Sequence, residues 1–444
     1  MMQKAILGRS FSQYERRRMG LGALICCFFM AFTLFKPFIA NLPLIKDFET
    51  SMASGLKILM STQEISEPPQ SYSYVESVTP PITQNLTNSR SQVYEINGEV
   101  RVHGNSSTIF IPTTQQLNTT TSFWNLKPYA RNFEKSIMKK IKNINITYQN
   151  PNTTPPCTRL FTAPAVIFST GGYLGNPFHD FTDVLIPLYL TSRQFNTTVI
   201  FLVVDMNPWW ISKYKPILHM LSKYEIIDMA SQNEVLCFPR IIAGLKSHKV
   251  LNIDKSISPN YSVTHFTKFL KTTYSLERGF VGGCKNKSRR LRNEYDVAEL
   301  AQSVGFDVSV REMGGDVSSV ARFGNGFDVM VAVHGAGMTN MVFLLENAIV
   351  VQIVPFGVEF NAKDCFENSS RDMNLRYLGY KVEVRESSLV EKYGVGSEVF
   401  DLQSLYKKEW AVYRSVYLDE QDVSVDLFRF NSTLLEAMEL VCNS

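Results

Sequence analysis

Three titratable residues lie close together in the stretch GNPFHDFTDVLIPLYLTS, residues 175–192. If this stretch is helical, a rotation of about 100° per residue places His179, Asp180 and Asp183 on one face, opposite an apolar stripe. A carboxylate, or a histidine paired with a carboxylate, can take the proton of a hydroxyl group as a general base. The alternative is that one aspartate caps the helix and His179 packs. In either case Pro187 limits the helix, because a proline this far in would kink it or delay its start.

A second candidate site is the turn HGAGMTN, residues 334–340, which follows the apolar run Val329–Val333. The run is short and β-branched, so it predicts a central parallel strand, a glycine turn and a helix that begins at Met341. At such a strand end, glycines let backbone amides approach a phosphate. The alternative is a strand-end histidine satisfied by backbone, with the glycines needed only for geometry. The predicted ligand-binding residues are His334, Gly335, Gly337, Thr339 and Asn340.

A basic loop, CKNKSRRLRNE at residues 284–294, is the third candidate. Its cationic side chains could clamp phosphates, and the planar fork of arginine suits bidentate binding, although a solvated basic turn is the alternative. The residues concerned are Lys285, Arg289, Arg290 and Arg292. The HGAG turn is also similar to the oxyanion loop of esterases, but the sequence has no Gly-x-Ser-x-Gly motif to supply a nucleophile. It has no Asp-x-Asp motif and no P-loop either.

Alternating strand and helix patterns predict the framework that positions these residues. The runs APAVIFSTGG, TTVIFLVVD and YEIIDM form one series, and FDVSV, VMVAV and IVVQIVP form another after the helical segment NEYDVAELAQSVG. This alternation predicts parallel sheets and two Rossmann-like domains, at residues 91–278 and 279–401, followed by a helical segment at 402–444. The segment VYEINGEVRVHG predicts a β-hairpin with its turn at Asn97 and Gly98.

The N-terminus carries an uncharged apolar run, Met19 to Phe35, preceded by three arginines. This pattern predicts a transmembrane signal anchor at residues 19–40 with a cytosolic tail at 1–18, because positive flanks remain on the cytosolic side. A cleaved signal peptide is the alternative. Residues 41–90 are rich in Ser, Thr, Pro and Gln and predict a stem.

The charge distribution agrees with a membrane anchor and gives no sign of a nucleic-acid surface. Residues 1–36 contain six Lys or Arg and one Glu, so the totals of 45 and 41 leave 39 basic and 40 acidic residues elsewhere. The net charge of +4 therefore belongs to the N-terminal segment.

Cysteines and glycosylation motifs point to the secretory pathway. Five cysteines lie beyond the anchor without a Cys-x-x-Cys pair, which makes a zinc cluster improbable and predicts up to two disulfides of undetermined pairing. They are Cys157, Cys237, Cys284, Cys365 and Cys442. Asn-x-Ser/Thr motifs begin at ten asparagines, which are Asn85, Asn105, Asn118, Asn145, Asn152, Asn196, Asn260, Asn286, Asn368 and Asn431. These motifs are acceptor sites for N-glycans.

Four motifs occur in the order GNPFHDFTDVLIPLYLT, VLCFPRIIAGLKSHK, CKNKSRRLRNE and VHGAGMTNMVFLLENAIVVQIVPFG. In this order, after a predicted type II anchor, they resemble plant glycosyltransferase family 61, over roughly residues 93–442. That family includes xylan arabinosyl- and xylosyltransferases and the N-glycan core xylosyltransferase. The short stem and the segment NGEVRVHGNSSTIFI are most similar to the xylan-decorating group.

The resemblance implies a GT-B-like fold and inverting transfer of a pentose from a UDP-sugar to xylan, without a cofactor or an essential metal. It also implies a single-pass type II position in the Golgi membrane with a lumenal catalytic part, and it allows oligomers with other Golgi transferases. On the acceptor side it implies an acid/base cluster of Asp183, His179 and Asp180, with Asp183 as the favoured base and Asp180 as its rival. On the donor side it implies the turn at residues 334–340, with Arg289 and Lys285 facing the diphosphate.

This chain departs from the family pattern in its basic loop. Relatives have Ser-Arg after a longer apolar strand, whereas here Cys284 and Lys285 follow the short run GFVGG. Relatives also carry a cysteine where Tyr94 stands. Lysine keeps the charge but lacks the arginine fork, so a catalytically weak homologue that binds glycan or a partner transferase is the rival hypothesis. The donor sugar, the acceptor and the linkage do not follow from the sequence.

Overall fold

The computed structural model of the protein describes residues 3–9, 82–85, 90–114, 123–257, 260–276, 291–312, 315–401 and 410–442. All of these residues belong to one compact unit. The described part is a mixed α/β structure with two sheets.

The strands follow the apolar runs of the sequence. In chain order they are β1 (Gln3–Arg9), β2 (Ile82–Asn85), β3 (Val93–His103), β4 (Thr108–Pro112), β5 (Phe123–Leu126), β6 (Ile144–Gln149), β7 (Arg159–Leu160), β8 (Ala165–Ser169), β9 (Ile200–Val204), β10 (Ile227–Asp228), β11 (Val235–Ala243), β12 (Phe306–Glu312), β13 (Val329–Val333), β14 (Ile349–Val354) and β15 (Arg376–Lys381).

The helices are mostly short. They are α1 (Lys135–Met138), α2 (Pro177–His179), α3 (Ile186–Ser192), α4 (Pro208–Lys213), α5 (Lys215–Leu221), α6 (Val263–Tyr274), α7 (Glu294–Val304), α8 (Val317–Asn325), α9 (Glu359–Ala362), α10 (Asn368–Asp372), α11 (Leu389–Tyr393), α12 (Trp410–Tyr413) and α13 (Leu427–Cys442). The predicted helix NEYDVAELAQSVG is α7, and Gly305 ends it in the left-handed conformation with φ of 110°.

The first sheet is mixed, with the order β10-β9-β8-β11-β3-β4-β6-β5, and β2 and β7 pair with β3 and β11. Strands β8, β9, β10 and β11 are parallel, as the alternating pattern predicts. Strand β3 is antiparallel to both β11 and β4, so this half differs from the purely parallel sheet that was expected.

The hairpin predicted within VYEINGEVRVHG is wrong, because the whole segment is the single strand β3. Asn97 and Gly98 are exposed and lie where the pairing with β11 shifts in register, between Phe238 and Arg240. Gly98 adopts a φ of 99°, which suits a β-bulge. The Asn-Gly pair therefore makes a bulge, and the hairpin partner of β3 is β4.

The second sheet is parallel throughout, with the order β12-β1-β13-β14-β15. Its strands β12, β13 and β14 confirm the runs FDVSV, VMVAV and IVVQIVP. Strand β14 is buried along its entire length, which explains its near-continuous apolar sequence.

The N-terminal residues lie in this second sheet. Strand β1 pairs with β12 on one side and with β13 on the other. A cytosolic tail was expected at residues 1–18, so the pairing of residues 3–9 differs from that prediction. Residues 277–290, which come before α7, lie outside the described part.

The predicted stem extends too far toward the C-terminus. Residues 82–85 form strand β2 against β3, and Arg90 is buried at 9% exposure. The predicted anchor at residues 19–40 lies outside the described residues. Within the part that the structure describes, no helix has the length and apolar character needed to span a membrane.

One apolar core connects elements from both predicted domains. Phe181 lies edge-on to Phe343, with ring centroids 6.0 Å apart, and the same cluster includes residues of α6 and α8. Separate clusters fill the other faces of the two sheets. The two sheets thus share a core, within which the segments around His179 and His334 meet.

Candidate active site

A π-helical segment, Asp180–Leu185, continues helix α2 and positions His179 against Asp183. Asn176 caps α2 by accepting a hydrogen bond from the Phe178 N–H at 3.0 Å. The wider π turn accommodates Pro187, because the Ile186 N–H bonds to the Phe181 carbonyl five residues back. π-bulges of this kind occur frequently at functional sites.

His179 and Asp183 form a hydrogen-bonded pair. His179 Nδ1 lies 2.9 Å from Asp183 Oδ2. Nδ1 also lies 3.0 Å from Arg131 Nη1, which can only donate. That N–H has both Asp183 oxygens at 3.3 Å to donate to, whereas the carboxylate can only accept. We therefore assign the Nδ1 proton to the bond with Asp183, which leaves the Nε2 lone pair for a substrate proton. The His179 side chain is 15% exposed, whereas Asp183 is fully buried. His179 is therefore the member of the pair that a substrate can reach.

Three further donors surround the Asp183 carboxylate. Tyr129 OH lies 3.1 Å from Oδ2, Arg131 Nη1 lies 3.3 Å from both oxygens, and Arg90 Nη2 lies 3.4 Å from Oδ1. Burial raises the pKa of the Tyr129 hydroxyl well above its ordinary value, and the Asp183 charge adds to the shift. These bonds occupy both carboxylate oxygens in a fully buried position, which opposes the prediction that Asp183 itself takes the acceptor proton.

Asp180 is directed away from this pair, contrary to the expectation that all three residues share one face. Its carboxylate accepts from Trp210 Nε1 at 2.8 Å, Tyr214 OH at 2.8 Å and Lys213 Nζ at 3.2 Å. It also accepts from the Gly175 N–H at 3.1 Å. Asp180 is 2% exposed, so its contacts are those of a structural carboxylate that ties the π segment to α4.

Sequence reasoning missed the partners of Asp183. Tyr129 and Arg131 precede Asp183 by about fifty residues, and Arg90 falls in the predicted stem. Tyr129 approaches closely because Gly172 has no side chain. A Cβ at that position would lie 2.2 Å from Tyr129 Cζ. The paired glycines of STGGY are the one local signal that a close approach occurs here.

Tyr173 covers the imidazole of His179. The two rings stack with centroids 4.1 Å apart at an interplanar angle of 22°. The Tyr173 hydroxyl is hydrogen-bonded to Glu134, which also forms an ion pair with Arg131 at 2.9 Å. Burial, followed by Glu134, raises the pKa of Tyr173 to about 12, so its hydroxyl keeps its proton. The stack holds the orientation of the histidine ring.

The HGAGMTN turn follows β13 as a 3-10 segment, Ala336–Phe343, rather than as the predicted helix from Met341. His334 is 7% exposed, and its backbone N–H bonds to the Ile353 carbonyl at 2.9 Å. Asn340 donates from Nδ2 to the Gly337 carbonyl at 2.9 Å, so it stabilises the turn from within. The buried Thr339 hydroxyl has no hydrogen-bond partner among the described residues, which is unusual for a buried polar group.

The two motifs lie side by side in the fold. Helix α2 packs against the 3-10 segment Ala336–Phe343. The Phe366 ring contacts Phe178 with centroids 5.6 Å apart and His334 with centroids 5.3 Å apart. Phe178 in turn lies edge-on to His179 at 5.2 Å. One aromatic bridge therefore connects the predicted acceptor-side histidine to the predicted donor-side histidine.

The third candidate motif cannot be placed in the site. Arg289, Arg290 and Lys285 lie outside the described residues. Arg292 is described, and it forms a surface ion pair with Glu391 at 2.7 Å. In the described part of the chain, no group of three His, Cys, Asp or Glu residues could hold a metal ion.

Comparison with known proteins connects this site to a family of enzymes. The sequence model of "Glycosyltransferase 61" matches residues 177–351, which begin in α2 and end in β14. The match thus includes His179, Asp180 and Asp183 at one end and the turn at residues 334–340 near the other.

Three curated plant proteins are similar over most of the chain. Beta-1,2-xylosyltransferase XYXT1 of Oryza sativa subsp. japonica is 35% identical over 394 residues, 82% of this chain and 85% of the relative. Alpha-1,3-arabinosyltransferase XAT2 of the same rice is 36% identical over 375 residues, 80% of this chain. The alignment spans only 64% of XAT2. Xylan glycosyltransferase MUCI21 of Arabidopsis thaliana is 33% identical over 389 residues, 80% of this chain and 79% of the relative.

Proposed function

The chain belongs to glycosyltransferase family 61, and from that premise we propose that it transfers a pentose, arabinofuranose or xylose, from a UDP-sugar to xylan. The names of the similar plant proteins, two pentosyltransferases and a xylan glycosyltransferase, support this choice of donor and acceptor. The observation that carries the proposal is the position of the His179–Asp183 pair beside the turn at His334.

We assign the general base to His179. Its Nε2 takes the proton of the acceptor hydroxyl while the hydroxyl oxygen forms a bond to the anomeric carbon. The bond from that carbon to the UDP oxygen breaks in the same step, which inverts the anomeric configuration. Asp183 holds the ring and stabilises the imidazolium that forms, and the carboxylate itself does not need to touch the acceptor.

The donor side stabilises the departing UDP. We assign the diphosphate to the turn with His334, Gly335, Gly337, Thr339 and Asn340. The buried hydroxyl of Thr339, which has no hydrogen-bond partner in the described part of the chain, supports this assignment. Lys285 and Arg289 would add positive charge to the same group. This mechanism involves no essential metal.

We further propose a Golgi enzyme with a lumenal catalytic part. The disulfide between Cys157 and Cys237 supports an oxidising compartment, since such bonds are rare in the cytosol. The apolar run from Met19 and the arginines before it support a type II anchor. That topology requires residues 3–9 to leave the second sheet, because a cytosolic segment cannot pair with lumenal strands.

The alternative is a catalytically weak homologue that binds glycan or a partner transferase, or an enzyme that acts on N-glycan cores. The feature that favours the weak homologue is the lysine at position 285, since the family resemblance implies an arginine there and lysine lacks the arginine fork.

Product analysis separates these alternatives. The full-length protein, solubilised in detergent, would be incubated with xylo-oligosaccharides and a panel of UDP-sugars, with and without a chelator. We expect one UDP-pentose to extend the acceptor by one residue at the same rate in both conditions. A folded protein that binds UDP but extends no xylan acceptor would contradict the proposal, and extension of an N-glycan core would support the second alternative.

A further inference from the structure

Gln352 is the single polar residue of the fully buried strand β14, and both polar atoms of its side chain are hydrogen-bonded. Its Nε2 lies 2.8 Å from His334 Nδ1 on the neighbouring strand end. Its Oε1 accepts from the hydroxyl of Tyr377 on β15 at 2.8 Å. Three adjacent parallel strands thus contribute one side chain each to a chain of hydrogen bonds.

The direction of these hydrogen bonds determines which ring nitrogen of His334 carries the proton. An amide nitrogen can only donate, so His334 Nδ1 must accept from Gln352, and the ring proton of the neutral imidazole then resides on Nε2. Protonating Nδ1 as well would place its N–H against the N–H of the amide. Gln352 therefore disfavours the imidazolium and maintains a neutral ring that donates from Nε2.

Among the described residues, Phe366 also contacts the His334 ring. Phe366 meets the ring edge-on at an angle of 75°, and an aromatic edge carries no titratable proton. The segment 363–371 that carries Phe366 contains the charged residues Lys363, Asp364, Glu367 and Arg371. Glu367 and Arg371 pair with each other at 3.0 Å.

We propose that Gln352 and Tyr377 are positioning residues that hold His334 as a neutral donor for an oxygen of the UDP diphosphate. The inference rests on the proposed function, because it names the ligand group that the donor-side turn would meet. A neutral donor binds the anion of the substrate and keeps its proton when UDP leaves, so this histidine does not compete with His179 for the acceptor proton.

Calorimetric titration of the full-length protein with UDP between pH 7.5 and 9.5 tests whether Gln352 holds His334 as a neutral donor. UDP remains fully ionised in this range, because the second pKa of a phosphate is about 6. We expect the wild-type affinity to be nearly constant with pH. In Gln352→Glu a carboxylate accepts from the Nδ1–H of His334, so a neutral ring carries its single proton on Nδ1. Only the imidazolium form then has an Nε2–H to donate to UDP. The affinity of this variant should fall about tenfold or more as pH rises through the raised pKa of that histidine.

Two control variants distinguish the effect of the Gln352–His334 hydrogen bond on UDP affinity from an effect of side-chain packing. Gln352→Met removes both hydrogen bonds without adding charge, so its affinity should be weaker than wild type but equally independent of pH. Tyr377→Phe keeps the amide beside His334 and should lose affinity only slightly, with no new pH dependence. Gln352→Glu with a wild-type pH profile would overturn the inference.

A second readout does not depend on UDP. Long-range proton–nitrogen NMR of the full-length chain labelled at histidine, with His334→Gln to assign the signal, reports the tautomer of His334. We expect Nδ1 without a proton and Nε2 with one, and the opposite tautomer would overturn the inference. Absence of UDP binding by the wild type would contradict the proposed function. The NMR result would still show whether Gln352 fixes the tautomer of His334.

Discussion

At the scale of single residues, His179 and Asp183 have different roles in the proposed mechanism. The histidine is partly exposed and the aspartate is fully buried, although both were candidate bases. A residue that removes a substrate proton must lie within hydrogen-bond reach of it, so exposure decides between the two. Asp183 instead joins His179 to Arg90, Arg131 and Tyr129.

Asp183→Asn should abolish transfer and also destabilise the protein. The substitution leaves the side chains of Arg90 and Arg131 without their shared anion in a buried site. Removal of one partner from a buried ion pair costs about 3 to 5 kcal/mol, and the arginines are slightly exposed, so the lower end applies. Thermal unfolding and turnover would be measured together, and UDP affinity should remain within about threefold of wild type.

Asp180→Asn is the matched control, because Asp180 is a buried carboxylate of the same π segment that bonds to Trp210 and Tyr214. It should lower the melting temperature while the folded fraction retains its turnover. Normal transfer by Asp183→Asn, or selective loss of transfer by Asp180→Asn, would reverse the roles assigned to the two aspartates.

Sequence alone could predict this dyad but not its surroundings. The spacing of His179 and Asp183, four residues apart, brings them together in an α-helix and also in the π segment that forms. Tyr129 and Arg131 enter from a distant loop without periodic pattern. Gln352 did have a local signal, because a polar residue inside the buried run IVVQIV requires a partner.

At the scale of elements, the close approach of two loops depends on Gly172. A Cβ at this position would overlap the Tyr129 ring, whose hydroxyl both donates to Asp183 and accepts from the Tyr173 N–H at 3.2 Å. Gly172→Ala should therefore displace Tyr129, and we expect a loss of about 1 to 3 kcal/mol in stability together with a lower kcat.

Gly396→Ala is the control for this prediction. Among the described residues, no atom lies within 4 Å of a Cβ at Gly396, and its φ does not require glycine. Circular dichroism melts and initial rates of both variants would be compared with wild type. Equal behaviour of the two alanine variants would show that Tyr129 can move without consequence.

The position of the N-terminal strand is a second question at this scale. Residues 3–9 lie between β12 and β13, whereas the proposed type II topology requires them on the cytosolic side. Sealed microsomes that contain the full-length chain with an N-terminal epitope distinguish the two arrangements. We expect added protease to remove the epitope and to spare the catalytic part. Protection of the epitope would instead retain residues 3–9 in the sheet and contradict the type II proposal.

The strands were easier to predict than their pairing. Short β-branched runs such as those of β8, β9, β13 and β14 have one physical explanation, burial in a sheet. Pairing depends on distant segments, so neither the antiparallel course of β3 nor the bulge at Gly98 follows from local pattern. The helix expected at Met341 is a 3-10 segment, because tertiary packing overrides a weak propensity.

At the scale of the whole molecule, two sheets share one apolar core, and two chemically different motifs meet at its edge. The sequence predicts two separate domains because the strand and helix pattern repeats. It does not predict that Phe181 and Phe343 pack together, since those residues are far apart in the chain. The proximity of His179 and His334 is a consequence of that packing.

Cys365 offers a test of how the segment Lys363–Glu367 packs near the candidate site. Burial, followed by the charge of Asp364, raises the pKa of its thiol to about 12. The thiolate is the reactive form, so at pH 8 Cys365 should be alkylated far more slowly than the exposed Cys442. Peptide mass spectrometry after timed treatment with iodoacetamide measures both rates. Similar rates at the two cysteines would mean that this segment opens readily.

The most direct test of the central claim is the stereochemistry of the product formed by the wild type and by His179→Asn. The full-length protein would be given a UDP-pentose and a xylo-oligosaccharide, and the anomeric signal of the new linkage would be followed by NMR. We expect one added pentose with an inverted anomeric configuration, and a rate that falls by about a hundredfold or more without His179. Retention of configuration, or an unchanged rate in the folded variant, would contradict the account.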